Sequence, residues 1–155
     1  MGLLNEIFGH KNPKEKQDYS TTNNDNVYSR LTHYQKLAAM NLMMVFGGSS
    51  SGSQQELNKI NHIMTQEGQM LGVSMAEMHA ATSRFSGMKG MSDTLKGADR
   101  KALEKLFWAF YCIIAVGKDP QAAQVLMIIY KDYGFSEQDC IAILEKKSGK
   151  RISEL

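Results

Sequence analysis

The sequence predicts an all-α fold: a helical bundle of two similar three-helix units. Three observations carry that expectation. The first is a corner written twice, Leu71-Gly72-Val73-Ser74-Met75-Ala76-Glu77-Met78 and Tyr133-Gly134-Phe135-Ser136-Glu137-Gln138-Asp139-Cys140. In each copy a glycine supplies the left-handed residue that closes a helix. A serine with an acid three places on then forms a capping box that opens the next. The second observation is helical spacing of apolar residues in every long segment, with no convincing strand alternation anywhere. The third is size: at 155 residues the chain can bury one core without disulfides or metals to staple it.

Taken in order, Leu3, Leu4, Ile7 and Phe8 lie on one face of a short helix within residues 1–10. Residues 11–26 are polar, rich in Asn, Lys, Ser and Thr, and read as a linker. Two regions are therefore expected: an arm over residues 1–26 and an all-α domain over 27–155. In the domain, Leu31, Tyr34, Ala38, Leu42 and Val45 mark a first helix, widened by Met40, Met43 and Met44 and ended by a Gly/Ser loop at 47–52. Ser53 and Glu56 form a capping box for a second helix that buries Leu57, Ile60, Met64 and Leu71. A third runs from Met75 to about Phe85, and residues 87–97 read as a glycine-punctuated connection with at most one turn of helix after Ser92.

The second half follows the same plan. Asp99 caps a helix through Leu103, Leu106, Phe107, Phe110 and Ile114, which Gly117 ends. Asp119 before Pro120 starts the next, because proline in the first helical position forfeits no needed hydrogen bond. Val125, Leu126, Ile129 and Tyr133 give it a buried face. After the Gly134 corner a last helix turns Cys140, Ile141 and Leu144 inward and carries Lys146 and Lys147 at its dipole-favoured end.

The paired corners, with loops at Gly47 and Gly117 in matching places, resemble the TerB-like tellurite-resistance family over roughly residues 31–147. That resemblance implies a duplicated three-helix unit and a role in stress response. The family's loops carry an Ala-Asp-Gly start and an acidic run associated with metal. Here residues 46–52 contain no acid and the second loop keeps only Asp119, so a divergent member without a tight metal site is expected.

No cofactor is expected either. The histidines His10, His33, His62 and His79 have no ligand spacing, and the loop at 47–52 lacks the Lys-Ser/Thr ending of a phosphate-binding loop. Cys112 and Cys140 fall in apolar helical patterns and read as buried thiols of a cytoplasmic protein. Met1 to Phe8 lacks the basic and long apolar regions of an export signal, and Glu6 stands where myristoylation needs Ser or Thr. A net charge of +2 calls for neither nucleic acid nor an anionic membrane.

With no catalytic spacing, the expected activity is that of a non-catalytic cytoplasmic adaptor or sensor acting on a protein partner. Methionines crowd the first half, and Met43, Met44, Met64, Met70 and Met78 are the candidate partner-binding residues, because methionine surfaces repack around varied partners. The alternative is a DNA-binding regulator reading with residues 136–151, where Lys146, Lys147, Lys150 and Arg151 are basic but Glu137, Asp139 and Glu145 oppose phosphate.

Overall fold

The computed structural model describes residues 26–48 and 53–148. The short apolar face at Leu3, Leu4, Ile7 and Phe8, the linker over 11–25, Ser49 to Gly52 of the Gly/Ser loop, and Lys150 and Arg151 lie outside the described residues. Among the described residues there are seven α-helices and no strand. A 3-10 turn, Val27–Arg30, precedes α1 (His33–Gly48), α2 (Gln54–Leu71) and α3 (Met75–Ala81), which passes into a second 3-10 turn, Thr82–Arg84. Then come α4 (Gly87–Leu95), α5 (Arg100–Gly117), α6 (Pro120–Asp132) and α7 (Glu137–Ser148).

Two helices form the centre. Residues 37 to 43 of α1 are all buried, Asn41 included, so this helix has no solvent face in its middle. A helix apolar on every side must be enclosed, and α1 is packed by α2, α3, α4 and α5. α5 is the second axis, in contact with α1, α2, α6, α7 and the first 3-10 turn. Phe46 of α1 meets Phe110 of α5 edge to face at 5.4 Å, the arrangement that aromatic quadrupoles favour. On the far side of α5, Tyr130 donates its hydroxyl to the Leu103 carbonyl at 2.6 Å and packs its ring on Phe107 and Phe135.

The expected caps form except at Ser53, where only half of the box is made: the Ser53 hydroxyl accepts from the Glu56 N–H at 3.4 Å, while the Glu56 carboxylate lies toward Lys118. Ser74 and Glu77 close a capping box, as do Ser136 and Asp139 at 3.0 and 2.9 Å. Asp99 accepts from the Ala102 N–H, and Asp119 from those of Gln121 and Ala122. Gly72 and Gly134 hold φ of 73° and 97°.

Five details differ from the expectation. Gly47 is the buried penultimate residue of α1 rather than loop, because a helix without a solvent face can use a glycine for close packing. Residues 87–95 form a nine-residue helix, since the burial of Met91 and Leu95 outweighs glycine's low propensity. The left-handed residue that ends α5 is Lys118, at φ 55°, rather than Gly117. Tyr34 and Leu57 are exposed; Tyr34 stacks on Phe85 at 4.9 Å. Finally, Ile143 rather than Ile141 joins Cys140 and Leu144 inside.

Candidate functional site

A cleft of about 300 Å³ opens where α2 turns into α3. Its position follows from the corner. The Gly72 N–H donates to the Gly68 carbonyl at 2.8 Å and the Val73 N–H donates to the same oxygen at 3.1 Å, folding the chain back over the last turn of α2. Val73 goes into the core, while Met75, the first residue of α3, is left 45% exposed at the mouth. Met40 of α1 and Met64 of α2 line the interior with Gly68 and Val73, and Thr65, Gln69 and Ser74 supply the polar edge. Gly68 keeps the space open: a Cβ there would lie 3.4 Å from both Met40 Cε and the Val73 carbonyl oxygen.

The sequence-derived methionines divide three ways. Met43 and Met78 are fully buried core residues, and Met44 and Met70 are half-buried against the core. Met64 alone of the five lines the cleft, beside Met40 and Met75, two methionines outside the candidate set. The overlooked signal was the corner itself. A residue directly after the capping serine begins a helix on the outside of a turn, and an apolar side chain there has little to pack against.

The polar groups near the mouth form a chain: the Ser74 hydroxyl donates to Glu77 Oε1 at 3.2 Å, and His33 Nε2 lies 3.5 Å from Glu77 Oε2. A nucleophilic triad places the imidazole between hydroxyl and carboxylate, so that it can take the hydroxyl proton. Here the carboxylate is in the middle and serves the capping box, so His33 is not placed to activate Ser74. No family model, no curated protein and no solved structure matches the chain.

Elsewhere, Lys105 lies 4.6 Å over the Tyr28 ring and 3.9 Å from Met70 Sδ, and Tyr28 donates its hydroxyl to Glu67. Burial pulls the Lys105 ammonium below its usual value, Glu67 opposes that shift and Lys147 adds to it. Cys112 and Cys140 are buried free thiols. Burial and then Asp139 push Cys140 up to about 11, which keeps it a protonated, unreactive thiol. Among the described residues no three His, Cys, Asp or Glu side chains converge as metal ligands, and no helix is long and apolar enough to cross a membrane. Asp119 is occupied as a helix cap, and Glu56 lies 3.9 Å from Lys118 Nζ. Of the basic C-terminal helix, Lys146 and Lys147 are exposed, while Asp139 at its start is paired with Arg100 at 3.2 Å.

Proposed function

We propose that this chain is a non-catalytic, cytoplasmic adaptor or sensor of TerB-like architecture, working by protein–protein contact. The observation that carries the reading is the open cleft at the α2–α3 corner, walled by Met40 and Met64 and rimmed by the exposed Met75. Its volume is at the small end of the roughly 300–1,000 Å³ of ligand sites. That suits an aliphatic or aromatic anchor on an amphipathic partner helix. Flexible thioethers fill irregular space and adapt to the anchor's shape. The duplicated-unit reading draws support from the two corners, which share a left-handed glycine, a buried apolar residue and a serine–acid capping box. A tellurite-type stress role rests on the resemblance alone.

The test uses Met75→Glu. Position 75 is the first residue of α3, where an acidic side chain is favoured by the helix dipole, so the substitution should fold while placing charge across the mouth. Proteins retained by the wild type and lost with Met75→Glu, at both low and high salt, are the expected result. Retention unchanged by Met75→Glu would refute the cleft as the contact. Binding to duplex DNA that collapses as salt rises would instead favour the regulator reading through α7.

A further inference from the structure

We infer that Met75 is an oxidation switch: a peroxide-class oxidant converts its thioether to the sulfoxide and so closes the cleft to apolar anchors. The inference rests on the adaptor reading of the cleft and adds a chemical input to it. The step is an oxygen transfer. A sulfur lone pair attacks one peroxide oxygen, and the O–O bond breaks. The departing hydroxide takes up the proton of the transferred oxygen and leaves as water. Sulfur is oxidised by two electrons and the peroxide is reduced by the same two. Enzymatic reduction by a dithiol reverses the step, forming a disulfide and releasing the oxygen as water.

Access selects the residue. The sulfur must meet the oxidant in water, and Met75, 45% exposed, is the one exposed methionine among the described residues. Met40 and Met64, its neighbours in the cleft, are buried. The thiols do not compete, because Cys112 and Cys140 are both buried and Cys140 is held protonated. Position makes the change tolerable to the fold. Met75 opens α3, whose start is held by the Ser74–Glu77 box and by the burial of Val73 before it and Met78 after it. The helix therefore keeps its cap when residue 75 becomes polar. Position also makes the change consequential. The sulfoxide puts a strong hydrogen-bond acceptor in place of an apolar lip, at the mouth of a cleft walled by Met40, Met64 and Val73. On the polar edge, Thr65 gives its hydroxyl to the Asn61 carbonyl at 2.8 Å, and Ser74 gives its own to Glu77 at 3.2 Å. The Gln69 amide is the remaining side-chain donor of that edge, lining the same cleft as Met75. An aliphatic or aromatic anchor that enters must displace such a donor, or water, and bury the oxygen without a partner. That weakens its binding by roughly tenfold to a hundredfold.

The experiment is a hydrogen peroxide titration of the full chain carrying methyl-labelled methionine, followed by NMR, with oxidised residues mapped by mass spectrometry. Met75 should gain oxygen before the half-buried Met44, Met70, Met88 and Met127. Met43 and Met91, buried outside the cleft, should keep their methyl resonances and report an intact fold. Indole serves as the apolar probe, read through the Met40 and Met64 methyl shifts. Its affinity should fall roughly tenfold or more once Met75 is oxidised, and recover after treatment with a methionine sulfoxide reductase and dithiothreitol. In Met75→Leu the affinity should be indifferent to peroxide. Met75→Gln, neutral and polar at the same place, should weaken indole with no oxidant present. Oxidation of Met75 no earlier than the half-buried methionines would overturn the inference. So would displaced Met43 and Met91 methyls, which would trace the loss of binding to unfolding. If indole binding ignores the sulfoxide while partner retention still depends on Met75, the adaptor reading survives and this inference alone falls. If the reduced protein takes no indole in the cleft, the adaptor reading loses its anchor site and the inference falls with it.

Discussion

At the scale of single residues, two positions in α1 decide how tightly the centre closes. A Cβ at Gly47 would come within 2.8 Å of Ile60 Cγ2, closer than carbon atoms pack, and Ile60 cannot swing that branch methyl away by moving its chain end. Overpacking of this kind costs about 1–3 kcal/mol, against the roughly 1 kcal/mol that alanine gains over glycine in a helix. Gly47→Ala is therefore expected to lower the denaturant midpoint, and Ile60→Leu, which lacks the γ2 methyl, to recover part of the loss in the double variant. Asn41 is the polar counterpart. Only 2% exposed, it donates to the Leu37 and Met78 carbonyls at 3.0 and 3.1 Å and accepts from the Thr82 hydroxyl at 2.6 Å, pinning α1 to the end of α3. Asn41→Ala should cost about 1–3 kcal/mol through the stranded partners, and a double-mutant cycle with Thr82→Ala should show coupling between the two. Neither role is legible in the sequence. Gly47 precedes Gly48 and a run of serines and so resembles a loop, and Asn41 resembles an interruption, because the close approach and the buried acceptors arise only when distant segments meet.

At the scale of elements, what was legible was local chemistry. The boxes at Ser74/Glu77 and Ser136/Asp139 and the caps at Asp99 and Asp119 involve neighbours a few residues apart, so spacing alone specifies them. One further box uses an amide in place of the acid: Thr32 and Gln35 exchange bonds at 3.0 and 3.1 Å and open α1. α4 was illegible for the opposite reason. Its glycines at 87 and 90 argue against helix locally, and what holds it is non-local: Met91 and Leu95 buried beneath it, Tyr133 donating to the Ser92 carbonyl at 2.6 Å, and Lys96 paired with Asp132 at 3.3 Å. The cleft was half legible: methionine crowding pointed to Met64, but which methionines share a surface depends on how α1 and α2 cross. The α7 cap makes a pH prediction. The Ser136 backbone N–H, then its hydroxyl, lower the Asp139 carboxyl against a smaller desolvation effect, and Arg100 adds to the lowering. A carboxylate lowered in the folded state stabilises fully above its unfolded pKa, and that stabilisation is lost as pH falls through the folded value. Unfolding midpoints should thus drop on acidification below the ordinary carboxylate range, and Asp139→Asn should flatten that part of the profile. At neutral pH, Ser136→Ala should cost about 1 kcal/mol.

At the scale of the whole molecule, stability should divide sharply at Asn26. The enclosed α1, the branching contacts of α5 and the aromatic group around Tyr130 are all built from residues of the described domain. Asn26 belongs with them: its side chain accepts from the Tyr28 N–H at 3.1 Å, capping the first 3-10 turn, and donates to Met70 across to α2. That turn in turn holds Tyr28, fully buried beneath Lys105 and bonded to Glu67, against α2 and α5. Deleting residues 1–25 removes none of these contacts. The melting temperature should therefore change by no more than about one or two degrees. Deleting residue 26 as well removes a cap and a cross-helix hydrogen bond, and should cost about 1–2 kcal/mol more. Calorimetry on the two truncations distinguishes the steps. A collapse of the transition already on deleting 1–25 would mean that the arm's apolar face supplies part of the core, and equal melting of the two truncations would mean that the Asn26 contacts do not hold the 3-10 turn in place.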